Sequence, residues 1–427
     1  MTTTEELLER RYRVLGRGSP LFYDTPLHLV RGEGVWLWDA DGRRYLDAYN
    51  NVPHVGHCHP HVVEAISRQA SILNTHTRYL HEGIIAYAER LTSKFDPELS
   101  MAMLACTGSE ANEIALRMAT VCTGHRGIIC TKFAYHGNTT AVAQISTVFP
   151  PPEGYGAHIR AVTAPDSYRD PRSANGALSP ASWLESIEAA CASLRESGQG
   201  VAGMLFDTIF SSEGLPLLDP VFLAEAAAIV RRAGGLYIAD EVQPGFGRTG
   251  THFWGYQHYG VVPDIVTMGK PMANGHPVSG VVARAELATE FAAKVMYFNT
   301  FGGNPVSCAA ANAVLDVLEN ERLQDHAREV GAYALAGLQK LAARHDIIGD
   351  VRGCGLFFGA DLVKDRRSKA PATAETKRIV NAMRDRGVLL SRIGVHDNVL
   401  KIRPPMPFSN GNADLLLATL DDVLRTL

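Results

Sequence analysis

The sequence carries no strong excess of charge of either sign. Its 427 residues include 41 Lys and Arg against 45 Asp and Glu, which gives a formal net charge of −4. Proteins that bind nucleic acid usually carry a strongly basic surface that neutralises phosphates, and this composition offers no such footprint. We therefore expect no nucleic-acid partner.

Long apolar runs and paired cysteines are also missing. No stretch approaches the roughly 20 apolar residues of a membrane-spanning helix, and the N-terminal MTTTEELLERRYRVLG mixes acidic and basic residues, unlike a signal peptide. The cysteines are odd in number and irregularly spaced, which is typical of reduced thiols. They are Cys58, Cys106, Cys122, Cys130, Cys191, Cys308 and Cys354. We expect a cytoplasmic protein that does not bind a membrane.

What the sequence does contain is an alternation of short apolar runs with helical patterns. Runs of this kind, apolar on both faces, predict a mostly parallel sheet covered by helices, and hence an α/β fold. The six runs are SMAMLACTG (100–108), GIICTK (127–132), VAGMLFDTI (201–209), GGLYIADEV (234–242), PDIVTMG (263–269) and HPVSGVVA (276–283). The stretch SEANEIALRMATVC (109–122) has apolar residues at helical spacing and predicts an amphipathic helix.

The pattern changes along the chain in a way that predicts three parts. Residues 59–310 form the large domain, and residues 311–427, with long charged helices and later strands, form a smaller α+β domain. Residues 1–58 are expected to join the small domain. Within the large domain, residues 150–180 are rich in Pro, Gly, Ser and Asp and are interpreted as an excursion over the surface.

Two motifs resemble known sites but do not satisfy their requirements. GFGRTG (245–250) matches a dinucleotide-binding pattern, yet the following THFWGYQHYG has no helical period to place under a pyrophosphate. HVGHCHPH (54–61) is rich in histidine, but no second Cys/His cluster of suitable spacing follows. We interpret the first as a glycine-rich loop and the second as a loop leading into a helix, and we expect no metal site.

Four other short stretches become informative in combination. Thr107-Gly108-Ser109 begins a helix, where backbone N–H groups can hold a phosphate. Tyr135-His136 supplies an aromatic ring, Asp240 ends an apolar run, and Lys270 follows thirty positions later. Each has an ordinary explanation when taken alone: a helix cap, a turn, or a lysine at a strand end. Together they provide a partner for each part of pyridoxal 5′-phosphate.

The chain resembles the class III aminotransferases, pyridoxal-phosphate enzymes of fold type I, over essentially its whole length. Matching stretches are TGSEANEIALRMA, AYHGNT, IADEVQPGFGRTG, PDIVTMGKPMANGHPVSGV, FNTFGGNPVSC and VRGCGLFFG. Within the family it is most similar to the ethanolamine-phosphate phospho-lyases, through NNVPHVGHCHP, DIVTMGKPMANGHPV, NTFGGNPVSCA and LKIRPPM. The resemblance implies a large domain that binds the cofactor and a smaller α+β domain.

The resemblance also implies roles for residues on both ends of the cofactor. Lys270 would bind the cofactor aldehyde covalently, and Gly108 and Ser109 would hold its phosphate. Thr300 of FNTFGGNP would reach that phosphate from a neighbouring subunit. The implied assembly is a homodimer with shared active sites.

The ring of the cofactor has its own implied partners. Tyr135 would stack on the pyridine ring, with His136 beside it in the same site. Asp240 would contact the ring nitrogen and Gln243 the ring hydroxyl. A carboxylate close to the nitrogen favours the protonated ring, which can accept electrons from a carbanion. Lys270, Asp240 and Tyr135 are therefore the expected catalytic residues.

Two departures from the family bear on the substrate. Relatives often have a glutamate at the position of Asp207. Because the side chain of Asp207 is one methylene shorter, any gating role of that carboxylate is not carried over to this chain. Lys401 stands where many family transaminases have an arginine that binds a carboxylate, and a lysine lacks the planar two-pronged geometry of arginine. The candidates for binding a substrate phosphate are Arg78, Lys401 and Arg403. A surface charge or an ion pair between subunits explains each of the three equally well.

The expected activity is elimination of phosphate from ethanolamine phosphate, which has no α-carboxylate, to give acetaldehyde, ammonia and phosphate. The alternative is an ω-aminotransferase that uses an amine or amino acid donor and a keto-acid acceptor. A third possibility is a protein that keeps the fold for binding alone. The intact set of Lys270, Asp240 and Gln243 argues against it.

Covalent trapping tests the role of Lys270. We expect borohydride to fix the cofactor to the peptide that contains Lys270, because the reagent reduces an imine to a stable amine. Peptide mass spectrometry would locate the modification, and the Lys270→Ala variant serves as the control. Modification of a different lysine, or of none, would contradict the assignment.

Overall fold

The computed structural model describes residues 3–166, 168–170, 181–216 and 218–427. The strands in these ranges are β1 (Leu29–Glu33), β2 (Trp36–Asp39), β3 (Arg44–Asp47), β4 (Leu99–Ala105), β5 (Gly127–Thr131), β6 (Ile159–Val162), β7 (Val201–Asp207), β8 (Leu236–Asp240), β9 (Ile265–Met268), β10 (Ser279–Arg284), β11 (Ile348–Cys354), β12 (Phe357–Asp365), β13 (Ala370–Pro371), β14 (Val388–Leu389), β15 (Ser391–Ile393) and β16 (Val399–Ile402).

The α-helices in the same ranges are α1 (Thr4–Leu15), α2 (Pro60–Ala70), α3 (Glu82–Thr92), α4 (Gly108–Thr123), α5 (Thr140–Ala143), α6 (Ala181–Glu196), α7 (Pro220–Arg232), α8 (Ala285–Lys294), α9 (Pro305–Asn320), α10 (Leu323–Ala342), α11 (Thr373–Asp385) and α12 (Asn410–Leu424). A short 3₁₀ helix spans Gly255–Tyr259.

Seven strands form the central sheet, in the order β4-β10-β9-β8-β7-β5-β6. Strands β9, β8, β7, β5 and β6 are parallel, whereas β10 is antiparallel to both β9 and β4. Strand β4 therefore points in the same direction as the parallel strands. The carboxyl ends of these strands meet at one edge of the sheet, which is where open α/β sheets bind ligands.

The central strands are buried because helices cover the sheet. Every residue of β7 and of β9 is buried, as expected for parallel strands enclosed on both faces. All six strands predicted from the apolar runs are present, and the predicted α/β fold class is confirmed.

Helix α4 brings the Gly108-Ser109 turn to this edge of the sheet. A capping box fixes its start: Thr107 Oγ1 accepts a hydrogen bond from Glu110 N (3.2 Å), and Glu110 Oε2 accepts one from Thr107 N (3.0 Å). The predicted apolar stripe faces the sheet, and its residues are all buried: Ala111, Ile114, Ala115, Met118 and Ala119.

One part of the sequence interpretation was wrong. Residues 159–162, inside the segment interpreted as a surface excursion, form the edge strand β6, paired in parallel with β5. The strand, IRAV, contains Arg160 and follows a stretch rich in Pro and Gly, so it did not show the uninterrupted apolar run by which the other strands were recognised. Residues 167 and 171–180 of the same excursion lie outside the described residues.

Two smaller sheets complete the fold. Strands β1, β2, β3 and β14 form one of them, in which β14 from the C-terminal part pairs in parallel with β3. Strands β11, β12, β16 and β15 form an antiparallel sheet, with β13 paired to β12. The pairing of β3 with β14 supports the division into residues 1–58, 59–310 and 311–427, which remains a proposal.

The GFGRTG segment forms a loop, and only the 3₁₀ helix follows it before β9. Gly250 has φ +82°, and a Cβ there would lie 2.6 Å from the Arg328 Cα of α10. Glycine is therefore required for close packing of the loop on α10.

The histidines of HVGHCHPH face separate partners. The pairs are His54 with the Phe246 carbonyl (2.8 Å), His57 with Asp47 (2.7 Å), His59 with Glu321 (3.1 Å) and His61 with Asp316 (2.8 Å). In the part of the chain that the structure describes, no group of three or more His, Cys, Asp or Glu side chains could hold a metal ion. No helix in that part is long and apolar enough to cross a bilayer.

Arg248 joins the glycine-rich loop to the C-terminal part of the chain. Its side chain is fully buried. Nη1 donates hydrogen bonds to the carbonyl oxygens of Leu356 (3.0 Å) and Pro404 (2.7 Å), and Nη2 lies 3.0 Å from His54 Nδ1. Because Pro404 follows Arg403, this buried side chain also fixes the chain just after β16.

Replacing Arg248 tests this connection. We expect Arg248→Ala to lower the free energy of unfolding by about 3 kcal/mol, because two buried carbonyl oxygens lose their donor. Thermal or denaturant unfolding measures the change. Arg195→Ala, at the exposed end of α6, is the control and should change stability by less than about 0.5 kcal/mol. Equal unfolding midpoints for the two variants would contradict the prediction.

Candidate active site

A cavity of about 260 Å³ opens at the carboxyl edge of the central sheet. Its lining residues come from the ends of strands β5, β7, β8 and β9 and from the start of α4. They are Gly108, Ser109, Tyr135, His136, Gly137, Asp207, Asp240, Val242, Gln243 and Lys270. The structure thus brings together seven residues predicted to bind the cofactor. Sequence reasoning missed Gly137 and Val242, although Val242 lies only two positions beyond β8.

Asp240 is held by hydrogen bonds from three directions. Its Oδ2 lies 2.7 Å from His136 Nδ1 and accepts a hydrogen bond from Asn112 Nδ2 (3.1 Å). Its Oδ1 accepts one from Val242 N (3.0 Å). The carboxylate is buried, and these contacts offset the cost of removing it from water.

Asp207 lies beside Asp240 on the neighbouring strand. The two residues are directly paired in the parallel register of β7 and β8. Burial raises the pKa of Asp207, and repulsion from Asp240 adds to this effect, although hydrogen bonds from the Ser211 hydroxyl and Ile209 N oppose it. Two carboxyl groups, those of Asp207 and Asp240, therefore lie side by side at the cavity, and hydrogen bonds offset only part of their mutual repulsion.

Lys270 lies two residues beyond β9, in the same cavity. Burial and, to a smaller extent, the positive charge of Arg403 lower the pKa of its amine to about 8, although Asp240 and Asp207 act in the opposite direction. At pH 7 roughly a tenth of an amine with this pKa is deprotonated, against well under a thousandth for a free lysine, so it can act as a nucleophile or as a general base.

The start of α4 has the properties of an anion site. Among the described residues, the backbone N–H groups of Gly108 and Ser109 have no hydrogen-bond acceptor. Gly137 closes the site from the other side, and a Cβ there would lie 2.4 Å from Ser109 Oγ, so only glycine leaves room. Free N–H groups at a helix N-terminus attract phosphate.

Lys401 and Arg403 lie behind Gln243 rather than on the surface. Both side chains are buried. Lys401 Nζ donates to Gln243 Oε1 (3.1 Å), and Arg403 Nη1 donates to the same oxygen. In the described part of the chain, neither cation forms an ion pair with a carboxylate. Because two cations occupy Oε1 of Gln243, its amide N–H groups are left to serve the cavity.

The ring of Phe357 lies close to both cations, with Lys401 Nζ 5.4 Å and the Arg403 guanidinium 5.2 Å from its centroid. Burial lowers the pKa of Lys401 well below its usual value, and the neighbouring charges of Arg403 and Lys270 lower it further. Such a cluster suits an anion, because an anion would stabilise the charged forms that burial disfavours.

Arg78 and Thr300 lie elsewhere. Both are exposed and neither lines the cavity. The Arg78 guanidinium lies 4.0 Å from the centroid of the Phe298 ring, which places it next to the segment that carries Thr300. Within one chain, these two predicted residues share a surface rather than the cavity.

Comparison with known proteins identifies the class to which this fold and site belong. Residues 22–424 match the class III aminotransferase family, and the chain belongs to that family. It is similar to an alanine–glyoxylate aminotransferase 2-like protein of Drosophila melanogaster, with 42% identity over 99% of this chain and 87% of the relative.

Two relatives carry the name of a narrower activity. Ethanolamine-phosphate phospho-lyase homolog 1 of Caenorhabditis elegans is 38% identical over 99% of this chain and 94% of its own length. A solved structure of a phospholyase from Arthrobacter, in complex with phosphoethanolamine, superimposes with a TM-score of 0.95 at 50% identity, over 99% of this chain and 100% of that one.

Members of this family depend on pyridoxal 5′-phosphate, and the cavity fits that cofactor. The free N–H groups at Gly108 and Ser109 suit its phosphate, and Lys270 suits its aldehyde. In addition, Nε2 of His136 is buried without a hydrogen-bond partner in the described structure, as expected where a further group completes a site.

The pKa of Lys270 gives a direct test of this environment. We expect the amine of cofactor-free enzyme to react with pyridoxal at a rate that rises with pH and levels off above about 8, because only the deprotonated amine attacks the aldehyde. An exposed lysine would reach its plateau above about 10.4. Stopped-flow absorbance measures the rate, and a midpoint near that of a free lysine would contradict the prediction.

Proposed function

We propose that this protein is a lyase that eliminates phosphate from ethanolamine phosphate to leave an enamine, which water then hydrolyses to acetaldehyde and ammonia. The observation that carries the proposal is the position of Lys401 and Arg403. These buried cations lack carboxylate partners in the described structure and share the amide oxygen of Gln243, which lines the same cavity as Lys270. A phosphorylated substrate would supply the missing negative charge.

The chain supplies a base in the cavity and two cations behind Gln243, which lines the same cavity. Lys270, with its lowered pKa, is suited to take the proton from the substrate carbon that bears nitrogen. When bound, the cofactor provides an electron sink next to that carbon. Lys401 and Arg403 would then stabilise the negative charge of the departing phosphate.

Lysine at position 401 also fits the chemistry of the substrate. An arginine binds a planar carboxylate through two parallel hydrogen bonds, whereas lysine offers a point charge. Ethanolamine phosphate has no carboxylate, so the loss of such a clamp would not weaken its binding. The names of the Arthrobacter and Caenorhabditis elegans relatives support the same substrate.

A second candidate is an aminotransferase that passes an amino group from an amine or amino acid donor to a keto acid. The similarity to the Drosophila melanogaster alanine–glyoxylate aminotransferase 2-like protein favours it. The two activities share Lys270 as base and differ in whether a leaving group departs. Only the aminotransferase requires a keto acid for continued turnover.

We further propose that the protein acts as a homodimer in which Thr300 faces the cofactor phosphate of the neighbouring subunit. Leu80, Met296 and Phe301 are strongly exposed, at 99%, 86% and 71% of their full accessibility, and exposed apolar groups of this size mark interaction surfaces. Between them, Asn299 donates a hydrogen bond to Glu110 Oε1 (3.1 Å) at the start of α4. The apolar surface therefore adjoins the proposed phosphate site.

Substrate kinetics test the proposed function. With ethanolamine phosphate and no keto acid, we expect the wild-type enzyme to release inorganic phosphate continuously. Lys401→Met should raise KM about tenfold or more, because a hydrogen bond between charged groups contributes roughly 1.5–3 kcal/mol.

The matched control is Lys364→Met. It removes an exposed lysine of β12, the strand that pairs with β16, and should leave KM unchanged. A phosphate-release assay measures all three proteins. Absence of phosphate release by the wild-type enzyme would refute the substrate, whereas an unchanged KM for Lys401→Met would refute only the role of that lysine.

A further inference from the structure

Asn112 is a buried polar residue that lies within the TGSEANEIALRMA motif but has no role assigned to it and does not line the cavity. It lies on α4, one turn after Gly108 and Ser109, and is fully buried. A buried amide is costly unless its donors and acceptor find partners. Asn112 finds three, and they come from three different parts of the cavity wall.

The hydrogen bonds of Asn112 connect α4 to β8, β9 and the loop after β5. Its Nδ2 donates to the His136 carbonyl oxygen (2.7 Å) and to Asp240 Oδ2 (3.1 Å). Its Oδ1 accepts a hydrogen bond from Thr267 Oγ1 (2.7 Å). Reversing the amide would place Oδ1 against two other oxygen atoms, so this arrangement admits one orientation only.

The same contacts determine which oxygen of Asp240 is available. Oδ2 has two neighbouring donors, Asn112 Nδ2 and His136 Nδ1, which occupy its two lone pairs. Oδ1 has one donor, Val242 N, and therefore keeps one acceptor position. The carboxylate cannot rotate without breaking all three contacts.

We propose that Asn112 is a positioning residue that, together with Thr267 and His136, fixes the Asp240 carboxylate so that Oδ1 serves the cationic nitrogen of the cofactor ring. This inference rests on the proposed role of Asp240. It links the helix that holds the cofactor phosphate to the acid that contacts the ring, so the two ends of the cofactor are placed by one rigid connection.

The affinity with which the cofactor rebinds distinguishes a positioning role of Asn112 from a role in stability alone. Enzyme stripped of cofactor is titrated with pyridoxal 5′-phosphate, and its thermal midpoint is measured with and without the cofactor. We expect Asn112→Leu to weaken the affinity about tenfold or more and to reduce the increase in midpoint that the cofactor produces. Met118→Ala, a cavity-forming change elsewhere on buried α4, should lower the midpoint and leave the affinity unchanged.

A second pair of variants covers the case in which Asn112→Leu does not fold. Thr267→Val removes the hydroxyl that orients the amide and should weaken cofactor affinity, whereas Thr267→Ser keeps the hydroxyl and should not. Asp240→Asn serves as the reference for loss of the charge. If Asn112→Leu or Thr267→Val binds the cofactor with wild-type affinity while Asp240→Asn binds it more weakly, the inference about Asn112 is overturned and the proposed role of Asp240 stands. Wild-type affinity in Asp240→Asn would overturn the proposed role of Asp240 as well.

Discussion

The parallel pairing of β7, β8 and β9 is the constraint on which the site depends. Its register places Asp207 opposite Asp240, and Asp240 opposite Thr267. Lys270 follows Thr267 by three residues and emerges at the same edge of the sheet. Residues that are separated by more than sixty positions in sequence therefore become neighbours because three short strands share one direction. The chemistry of the cavity follows from this edge.

Burial then sets the electrostatic properties of that edge. Three basic side chains, Lys270, Lys401 and Arg403, and two carboxyl groups, Asp207 and Asp240, lie in or next to the cavity. Desolvation lowers the pKa of Lys270, and Arg403 reinforces the effect. Burial lowers the pKa of Lys401 as well, and the carboxyl groups of Asp207 and Glu213 oppose this effect only in part. An anion next to Lys401 and Arg403 would stabilise their charged forms, which is the basis on which we propose a phosphorylated amine as the substrate.

Patterns confined to one segment made much of the fold predictable. The strands β4, β5, β7, β8, β9 and β10 each lie within a mainly apolar run of at least six residues, and the start of α4 carries a recognisable capping box. Strand β6 was missed because Arg160 interrupts its four residues, so they do not form an apolar run. The seven cavity residues proposed to bind cofactor could be named because family motifs include them.

Features that require several segments could not be read from the sequence. The burial of Lys401 and Arg403 depends on Gln243 and Phe357, which belong to distant elements. Asn112 looked like one polar position on an amphipathic helix, and only its contacts reveal what it orients.

Counting the turnovers per cofactor in the absence of a keto acid tests the central claim most directly. Holoenzyme is mixed with an excess of ethanolamine phosphate, and both free phosphate and the aminated form of the cofactor are quantified over time. The proposed lyase activity predicts many phosphate ions released per active site while the cofactor keeps its aldehyde. Conversion of the cofactor to its aminated form after a single turnover, without release of phosphate, would contradict it.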